Sequence, residues 1–381
     1  MEEVTLMNKS KKIMKIQMEG REIVKLVSIL DFDALPIILK GQSDEEKYNI
    51  SIEKINKWFQ KRLIPEKREF YDRVKMYLNE EEINKQHFAS LNDQYWIMRQ
   101  SADKWKNINF FNNKFSEDIG KLFFAPNLVD KKNINYNSPD LSTNGCLRKR
   151  WIKNNDGIYL IKAGSKKLKQ EPLNEVLASI MLEYLNIIDF VKYDYIIDSM
   201  EMCSRCKNFI NENEEFVPAE YLYITTKKSS ENVTIYEHLL ESCEKYGIDA
   251  KSQIDSMIAI DFLIGNNDRH LGNFGFVKNV ETGKIIRFAP LFDFGNAFWN
   301  STNNVMSHAA QARNMFRNEE KRCLTKLKEN TSINSKELIE ELTEVTNNYL
   351  NIPSQQKEKI KDNLNRSIDI YNEKTSLNLE R

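Results

Sequence analysis

The stretch from Met257 to Gly295 constrains the fold more than any other part of the chain. An apolar segment from Met257 to Ile264, interrupted only by Asp261, reads as a buried helix that stops at Gly265. A polar loop follows, Asn266-Asn267-Asp268-Arg269-His270-Leu271-Gly272-Asn273, and a strand starts at Phe274. Asn279 to Gly283 makes a turn, Lys284 to Phe288 returns, and Pro290-Leu291-Phe292-Asp293-Phe294-Gly295 closes the run. A helix feeding an antiparallel hairpin in so short a space predicts an α+β chain. The returning strand brings Asp293 back beside Asn273, so Asp268, Asn273 and Asp293 converge on one cleft.

Composition sets the broad class. The chain has 381 residues, 41% of them hydrophobic, which is enough to bury a sizeable core in two or three packed units. Lys+Arg and Asp+Glu both number 56, so neither a general nucleic-acid coat nor direct nucleic-acid binding is expected. Twenty Phe, fifteen Tyr and five Trp argue against disorder. No stretch approaches the roughly 18 apolar residues of a membrane helix, so no membrane partner is expected. Met1-Glu2-Glu3-Val4 does not read as a signal peptide, and Cys146, Cys203, Cys206, Cys243 and Cys323 are an odd, scattered set. These features predict a cytoplasmic protein.

Three units are predicted along the chain. Residues 1–105 form a mixed α/β module, with short strands at Ile23 to Leu30 and Leu35 to Leu39 and helices at Ile52 to Phe59 and Lys67 to Leu78. The basic and aromatic residues of 51–76 are read as a solvated face over an aromatic core rather than a binding surface. Residues 106–225 contain a polar loop at 130–144, a hairpin turning at Asn154-Asn155-Asp156-Gly157, and a helix entered through Pro172. Leu173, Val176, Leu177, Ile180, Met181, Tyr184 and Leu185 line that helix, with Glu171 and Glu175 on its polar side. Residues 189–226 then read as strands. Residues 226–381 are mostly helical, with helices at 233–245 and 252–264 and a charged helical region beyond about 305.

The converging residues suit phosphoryl transfer. Magnesium takes oxygen ligands, which one carboxylate and one amide oxygen can begin to supply beside the phosphates of a nucleotide. Another carboxylate can accept the proton of an attacking hydroxyl. The other half of such a site needs a cation for the phosphates. Lys162 ends the apolar strand Ile158 to Ile161 and can reach a cleft. Glu175 on the next helix can hold it, with Glu171 as a competitor one turn earlier. Leu141-Ser142-Thr143-Asn144-Gly145-Cys146 can cover phosphates with backbone N–H groups and hydroxyls. Cys203-Ser204-Arg205-Cys206 has metal-knuckle spacing but lacks a second pair of ligands, so two strand thiols are expected. His87, His238 and His308 have no partner at ligand spacing.

Asn-Asp-Arg-His-Leu-Gly-Asn-Phe-Gly followed by Pro-Leu-Phe-Asp-Phe-Gly resembles the catalytic and metal-binding loops of HipA-like serine/threonine kinases. Residues 91–97, 107–120 and 143–151, running on to Leu-Ile-Lys and Gln-Glu-Pro-Leu-Asn-Glu, resemble a Firmicutes-type branch of that family. The resemblance covers about residues 90 to 300. Asp-Arg-His-Leu-Gly-Asn is shared with phosphoinositide kinases of related fold. The resemblance implies a two-lobed, protein-kinase-like fold and a protein kinase using ATP and Mg2+, of a kind known as the toxin of a toxin–antitoxin pair. It implies Asp268 as catalytic base, Asn273 and Asp293 as magnesium ligands, and His270 as a catalytic-loop residue that organises the loop rather than acting as the base. It also implies Lys162 on the nucleotide phosphates, Ser142, Thr143, Asn144 and Gly145 as the lid, and Phe209 in an adenine-contacting linker with Cys206, Lys207 and Asn208. Ser142 or Thr143 is the implied site of a regulatory autophosphorylation. The implied partners are a protein substrate and a small helix-turn-helix antitoxin. A lipid or small-molecule kinase and a nucleotide-binding pseudokinase are the alternatives. The chain departs from eukaryotic kinases in its Asp-Arg-His order and in having no Gly-x-Gly-x-x-Gly.

Overall fold

The computed structural model describes residues 1–42, 50–298, 315–330 and 334–372. Among them are three antiparallel sheets and helices that cover them. The first sheet holds β1 (Glu2–Asn8), β2 (Lys11–Glu19), β3 (Glu22–Ile29) and β4 (Tyr95–Met98) in the order β3-β2-β1-β4. Its inner face carries Val4, Leu6, Met14, Ile16 and Ile97, which pack against α1 (Ile52–Gln60), α2 (Tyr71–Lys75) and α3 (Glu80–Asn84). Ser51 caps α1 by accepting the Lys54 N–H, and Ile55, Trp58 and Phe59 are the buried face of that helix. Trp58, Phe59 and Tyr71 are therefore core, whereas Phe70 is half-buried outside it and two of the cations, Arg62 and Arg68, are themselves buried.

Three sequence expectations in this module give way. Leu35–Leu39 is not a strand: Ile37–Leu39 forms a 3-10 turn behind Pro36, whose fixed φ and missing N–H suit a turn entry and not a ladder. The helix expected at Lys67 to Leu78 shrinks to α2, because Phe70 takes a left-handed φ of 65° and the two residues before it bond elsewhere. The strands β1 and β2 were not foreseen. They pair as the first hairpin and occupy the centre of the sheet.

After α4 (Trp105–Ile108) and α5 (Asp118–Phe124), the second sheet holds β5 (Lys149–Asn154), β6 (Gly157–Lys162), β7 (Tyr193–Asp198) and β8 (Glu201–Lys207), ordered β5-β6-β8-β7. Asn155-Asp156 is the two-residue loop of the β5–β6 hairpin, and its register pairs Lys149 with Lys162. α6 (Glu171–Leu185) crosses behind this sheet with Pro172 in its first turn. Glu171 and Glu175, on its polar side, are buried, as are Leu173, Leu177 and Met181 on its apolar side.

The third sheet joins β9 (Glu214–Pro218) to the expected hairpin, β10 (Gly275–Asn279) and β11 (Ile285–Phe288), in the order β11-β10-β9. Pro218 ends the ladder opposite Gly275, and α7 (Ala219–Thr225) starts where a further strand was expected. α8 (Ile235–Lys245) opens with a full capping box between Thr234 and Glu237. α9 (Lys251–Leu263) runs through the largest core and packs with α10 (Glu320–Asn330) and α12 (Ser354–Asn372), while α11 (Ser335–Asn348) packs on α6 and α12. The helical region expected from about 305 falls in part outside the described residues, as does His308. Among the described residues no helix is long and apolar enough to cross a membrane.

Candidate active site

α9 and the β10–β11 hairpin hold the polar loop between them from both ends. Gly265 ends the helix at a φ of 63°, which a side chain would strain. Asp261, the polar residue inside the apolar run, is 1% exposed. Its two oxygens accept from Arg269 Nε at 2.8 Å and Nη2 at 3.0 Å, and one also accepts from Asn266 Nδ2 at 2.8 Å. Arg269 Nη1 then donates to the carbonyl of Asn273 at 3.0 Å and of Phe292 at 2.8 Å. One buried guanidinium thus ties helix, loop and returning segment together, and it brings Asn273 and the residue before Asp293 to one place.

The loop is shaped by its own polar groups. The Asn273 amide oxygen accepts the His270 N–H at 3.0 Å, and its Nδ2 donates to the Asp268 carbonyl at 2.8 Å. That oxygen keeps a second lone pair for another partner. Asp268 is exposed, and its Oδ2 accepts from Asn296 Nδ2 at 2.8 Å. Asn296 lies just past Asp293, so this bond joins the two carboxylate-bearing loops. His270 is exposed, and its Nδ1 accepts the Gly272 N–H at 3.1 Å, a loop-organising contact.

Lys162 joins this assembly through Asp293. Its Nζ lies 2.8 Å from Asp293 Oδ1, 3.0 Å from Glu175 Oε1 and 3.4 Å from the Tyr193 hydroxyl. Glu175 Oε2 accepts the Phe294 N–H at 2.7 Å, so the helix residue that holds the lysine also holds the backbone beside Asp293. Asn174 Nδ2 grips the carbonyls of Gly295 and Ala297, each at 2.8 Å. Glu171 is out of the contest: it accepts the Ser165 N–H at 3.0 Å instead. Asp293 adopts a left-handed φ of 67°, unusual for a residue with a side chain, and is kept there by these contacts. Burial would raise the Asp293 carboxyl, but Lys162, then Lys149 and Arg269, hold it well below the usual carboxylate range. Burial likewise works against the charge on Lys162, and Asp293 and Glu175 outweigh it, raising the ammonium above its ordinary value.

Phe209 follows β8 and stacks on Phe292 with ring centroids 5.7 Å apart, while Phe216 meets both rings edge-on. Asn208 is fixed by its N–H on the Ile158 carbonyl at 2.8 Å. The linker expected to touch adenine therefore lies against the residue that precedes Asp293.

The loop at 138–146 begins with Ser138, which accepts the Asp140 N–H and precedes a 3-10 turn over Pro139–Ser142. Ser142 and Thr143 are buried. The Thr143 hydroxyl donates to the Pro139 carbonyl at 2.8 Å and accepts from Trp151 Nε1 at 2.9 Å. Ser142 Oγ is buried with no hydrogen-bond partner among the described residues. Asn144 is exposed and accepts the Gly145 N–H at 2.7 Å. Gly145 has a φ of 110°, and a Cβ there would fall 2.1 Å from Lys149 Nζ.

Lys149 was not foreseen as part of the site. It pairs across the hairpin with Lys162, its Nζ lies under the loop, and burial followed by repulsion from Lys162 and Arg68 lowers it to about 7. The signal was available: a two-residue loop at Asn155-Asp156 fixes the register and sets 149 opposite 162. Tyr193, Asn296, Asp261 and Arg269 were also missed. Only the Asp261 interruption of the apolar run pointed to any of them. Cys203 and Cys206 are free, buried thiols, each pushed up to about 12 by burial. No group of three or more His, Cys, Asp or Glu able to hold a metal occurs among the described residues.

Comparison with known proteins gives matches of three kinds. The sequence profile of the HipA-like C-terminal domain matches residues 141–351. The serine/threonine-protein kinase CtkA of Helicobacter pylori is 28% identical over 113 residues, which cover 26% of this chain and 33% of that protein. The chain therefore spans about a third of the length of this curated relative. The fold is similar to that of Shewanella oneidensis HipA, solved in a toxin–antitoxin complex with HipB and operator DNA. The TM-score is 0.56 at 11% identity, over 97% of this chain and 96% of that one. The crystal structure of the H. pylori proinflammatory kinase CtkA aligns with a TM-score of 0.46 at 18% identity, over 59% of this chain and 88% of that one.

Proposed function

The chain belongs to the HipA-like C-terminal domain family, and from that premise we propose that it is a serine/threonine protein kinase that uses Mg-ATP. The observation that carries the reading is the placement of Lys162 between Glu175 and Asp293, the latter in a segment tied to the Asp268–Asn273 loop through Asn296 and Arg269. Asp268 accepts the proton of a substrate hydroxyl as its oxygen attacks the γ-phosphorus; the bond to the β-phosphate oxygen breaks and ADP leaves. The Asp268 carboxylate is exposed and is oriented by Asn296. Lys162, fixed by Glu175, supplies positive charge to the phosphates, and Lys149 adds a second charge when protonated. Lys162 exchanges its contact with Asp293 for phosphate oxygens when nucleotide enters.

The donor set fits magnesium. Asp293 is ionised and its side chain is 45% exposed, and the Asn273 amide oxygen retains a lone pair. Asn273 and Asp293 would hold the ion, which when bound neutralises charge on the β- and γ-phosphates. Phe209 contributes an aromatic face for the base.

The loop at 142–145 is the lid over the phosphates, and Ser142 or Thr143 is the site of a regulatory autophosphorylation. Both hydroxyls are buried, so that event requires the loop to leave its seat. A small helix-turn-helix antitoxin is the proposed partner, and the chain is the proposed toxin. Phosphoproteomics on cells expressing wild type or Asp268→Ala tests the reading. New phosphoserine or phosphothreonine sites with wild type alone support it. Phosphate appearing only in lipid or metabolites favours the small-molecule kinase, and no difference between the two strains favours a nucleotide-binding pseudokinase.

A further inference from the structure

Arg68, Glu69 and Phe70 reach out of the N-terminal module and meet the lid. Arg68 is 2% exposed, donates from Nε to the Gly145 carbonyl at 3.0 Å and from Nη2 to the Thr143 carbonyl, and lies over the Phe123 ring. The Glu69 N–H donates to the Cys146 carbonyl at 2.8 Å, and Glu69 Oε1 accepts the Lys166 N–H at 3.0 Å. The Phe70 ring has Lys166 Nζ 3.9 Å from its centre and the Arg148 guanidinium carbon 5.2 Å from it. Phe70 holds a left-handed φ of 65°, a conformation that a bulky residue keeps only when its surroundings enforce it. These three residues are where the expected helix failed, so the sequence gives up helical hydrogen bonds here for contacts to the lid and its flanks.

The contacts fix the lid's orientation. In a trans peptide the C=O and the following N–H point in opposite directions. With the Thr143 and Gly145 carbonyls turned to Arg68, the Asn144 and Cys146 N–H groups face away from it. Successive N–H groups in a loop of this kind form an anion cradle only when they are held in a common direction.

We propose that Arg68 is a positioning residue for the nucleotide site: by gripping two lid carbonyls it sets the facing of the lid's N–H groups, so the N-terminal module governs how tightly nucleotide is held. This inference rests on the kinase reading for its ligand. Burial lowers the Arg68 guanidinium to about 10, against the pull of Asp140, and it stays charged at neutral pH.

The test uses the full chain as wild type, Arg68→Met and Arg68→Lys. Hydrogen exchange is followed at the amides of residues 142–147 without nucleotide, and Mg-ATP affinity is measured by calorimetry. In Arg68→Met the lid amides exchange about tenfold faster or more, as expected for losing two charge-assisted bonds, while amides of β1, β2 and α6 keep their rates. Mg-ATP binding weakens by a similar factor, and turnover at saturating nucleotide falls much less. Arg68→Lys keeps the charge and the stem but not the fork, so its effects lie between; it also serves if Arg68→Met does not fold. Wild-type lid exchange in a folded variant overturns the proposal. So does a uniform acceleration over the whole N-terminal module, which would make Arg68 merely structural. If wild type binds no Mg-ATP, the kinase reading fails, while the exchange data still decide whether Arg68 holds the lid.

Discussion

At the residue scale, the site is defined by which charges face one another. Lys162 is shared by Glu175 and Asp293, so Lys162→Met leaves the buried Glu175 carboxylate without its cation and takes the nearest one from the half-exposed Asp293. It is expected to weaken Mg-ATP binding and to lower transfer about 10²-fold or more, as read by calorimetry and single-turnover labelling. Asp268→Ala separates the two quantities: affinity is kept, and transfer falls by about 10²- to 10⁴-fold. Asp140 supplies a pH-dependent prediction. Burial pushes its carboxyl up to about 7, against the Trp151 N–H, Arg68 and the Ser138 hydroxyl that favour its charge. The folded state then holds a proton that the unfolded state, with a carboxyl near 3.8, releases. This group's contribution is fully present below about 4 and is lost as pH rises through about 7. The Tm advantage of wild type over Asp140→Asn is expected to shrink between those values and stay flat above them. A constant difference would contradict it. The pairing of Lys162 with Glu175 and the return of the Asp293 segment to the Asp268–Asn273 loop were legible in the sequence, because the hairpins that set them are marked by local turn patterns. Arg68 and Tyr193 were not, because their partners lie far along the chain and no local pattern marks them.

At the scale of elements, the helix–loop–hairpin unit was read correctly because its punctuation is strong: Gly265, the turn at Asn279 to Gly283, and Pro290. What the pattern could not show was that the polar interruption in α9 anchors the loop. Asp261 and Arg269 are both nearly fully buried, and each satisfies the other. Asp261→Ala leaves the guanidinium unpaired in the core and is expected to destabilise the fold by about 3–5 kcal/mol, measured by denaturant unfolding. It also removes the carboxylate that aims Arg269 at the Asn273 and Phe292 carbonyls, so surviving protein should bind Mg-ATP poorly. The glutamates of α6 show the limit of periodicity. The spacing put both on one polar side and offered both to Lys162, but Glu175 takes the cation and the Phe294 N–H while Glu171 takes the Ser165 N–H. The segment at Leu35 to Leu39 shows another: apolar residues at short spacing cannot distinguish a strand from a buried turn, and Pro36 decides for the turn.

At the scale of the whole molecule, the two-lobed, HipA-like fold was legible through the family resemblance of residues 90 to 300, and the fold found agrees with it. The central pairing of β1 and β2 was not, since it depends on which strands neighbour one another rather than on what each strand contains. The N-terminal module supplies the scaffold from which Arg68 reaches the Thr143 and Gly145 carbonyls, so the module is joined to that loop through its backbone. The central claim is that Asp268 directs the γ-phosphate of ATP onto an alcohol. The most direct measurement incubates the purified chain with Mg2+, γ-labelled ATP and cell extract, and scores acid-stable label in protein. Wild type is expected to transfer label to serine or threonine, and Asp268→Ala to bind Mg-ATP normally yet transfer almost none. Equal labelling by the two proteins, or none by wild type while it binds Mg-ATP, would contradict the account.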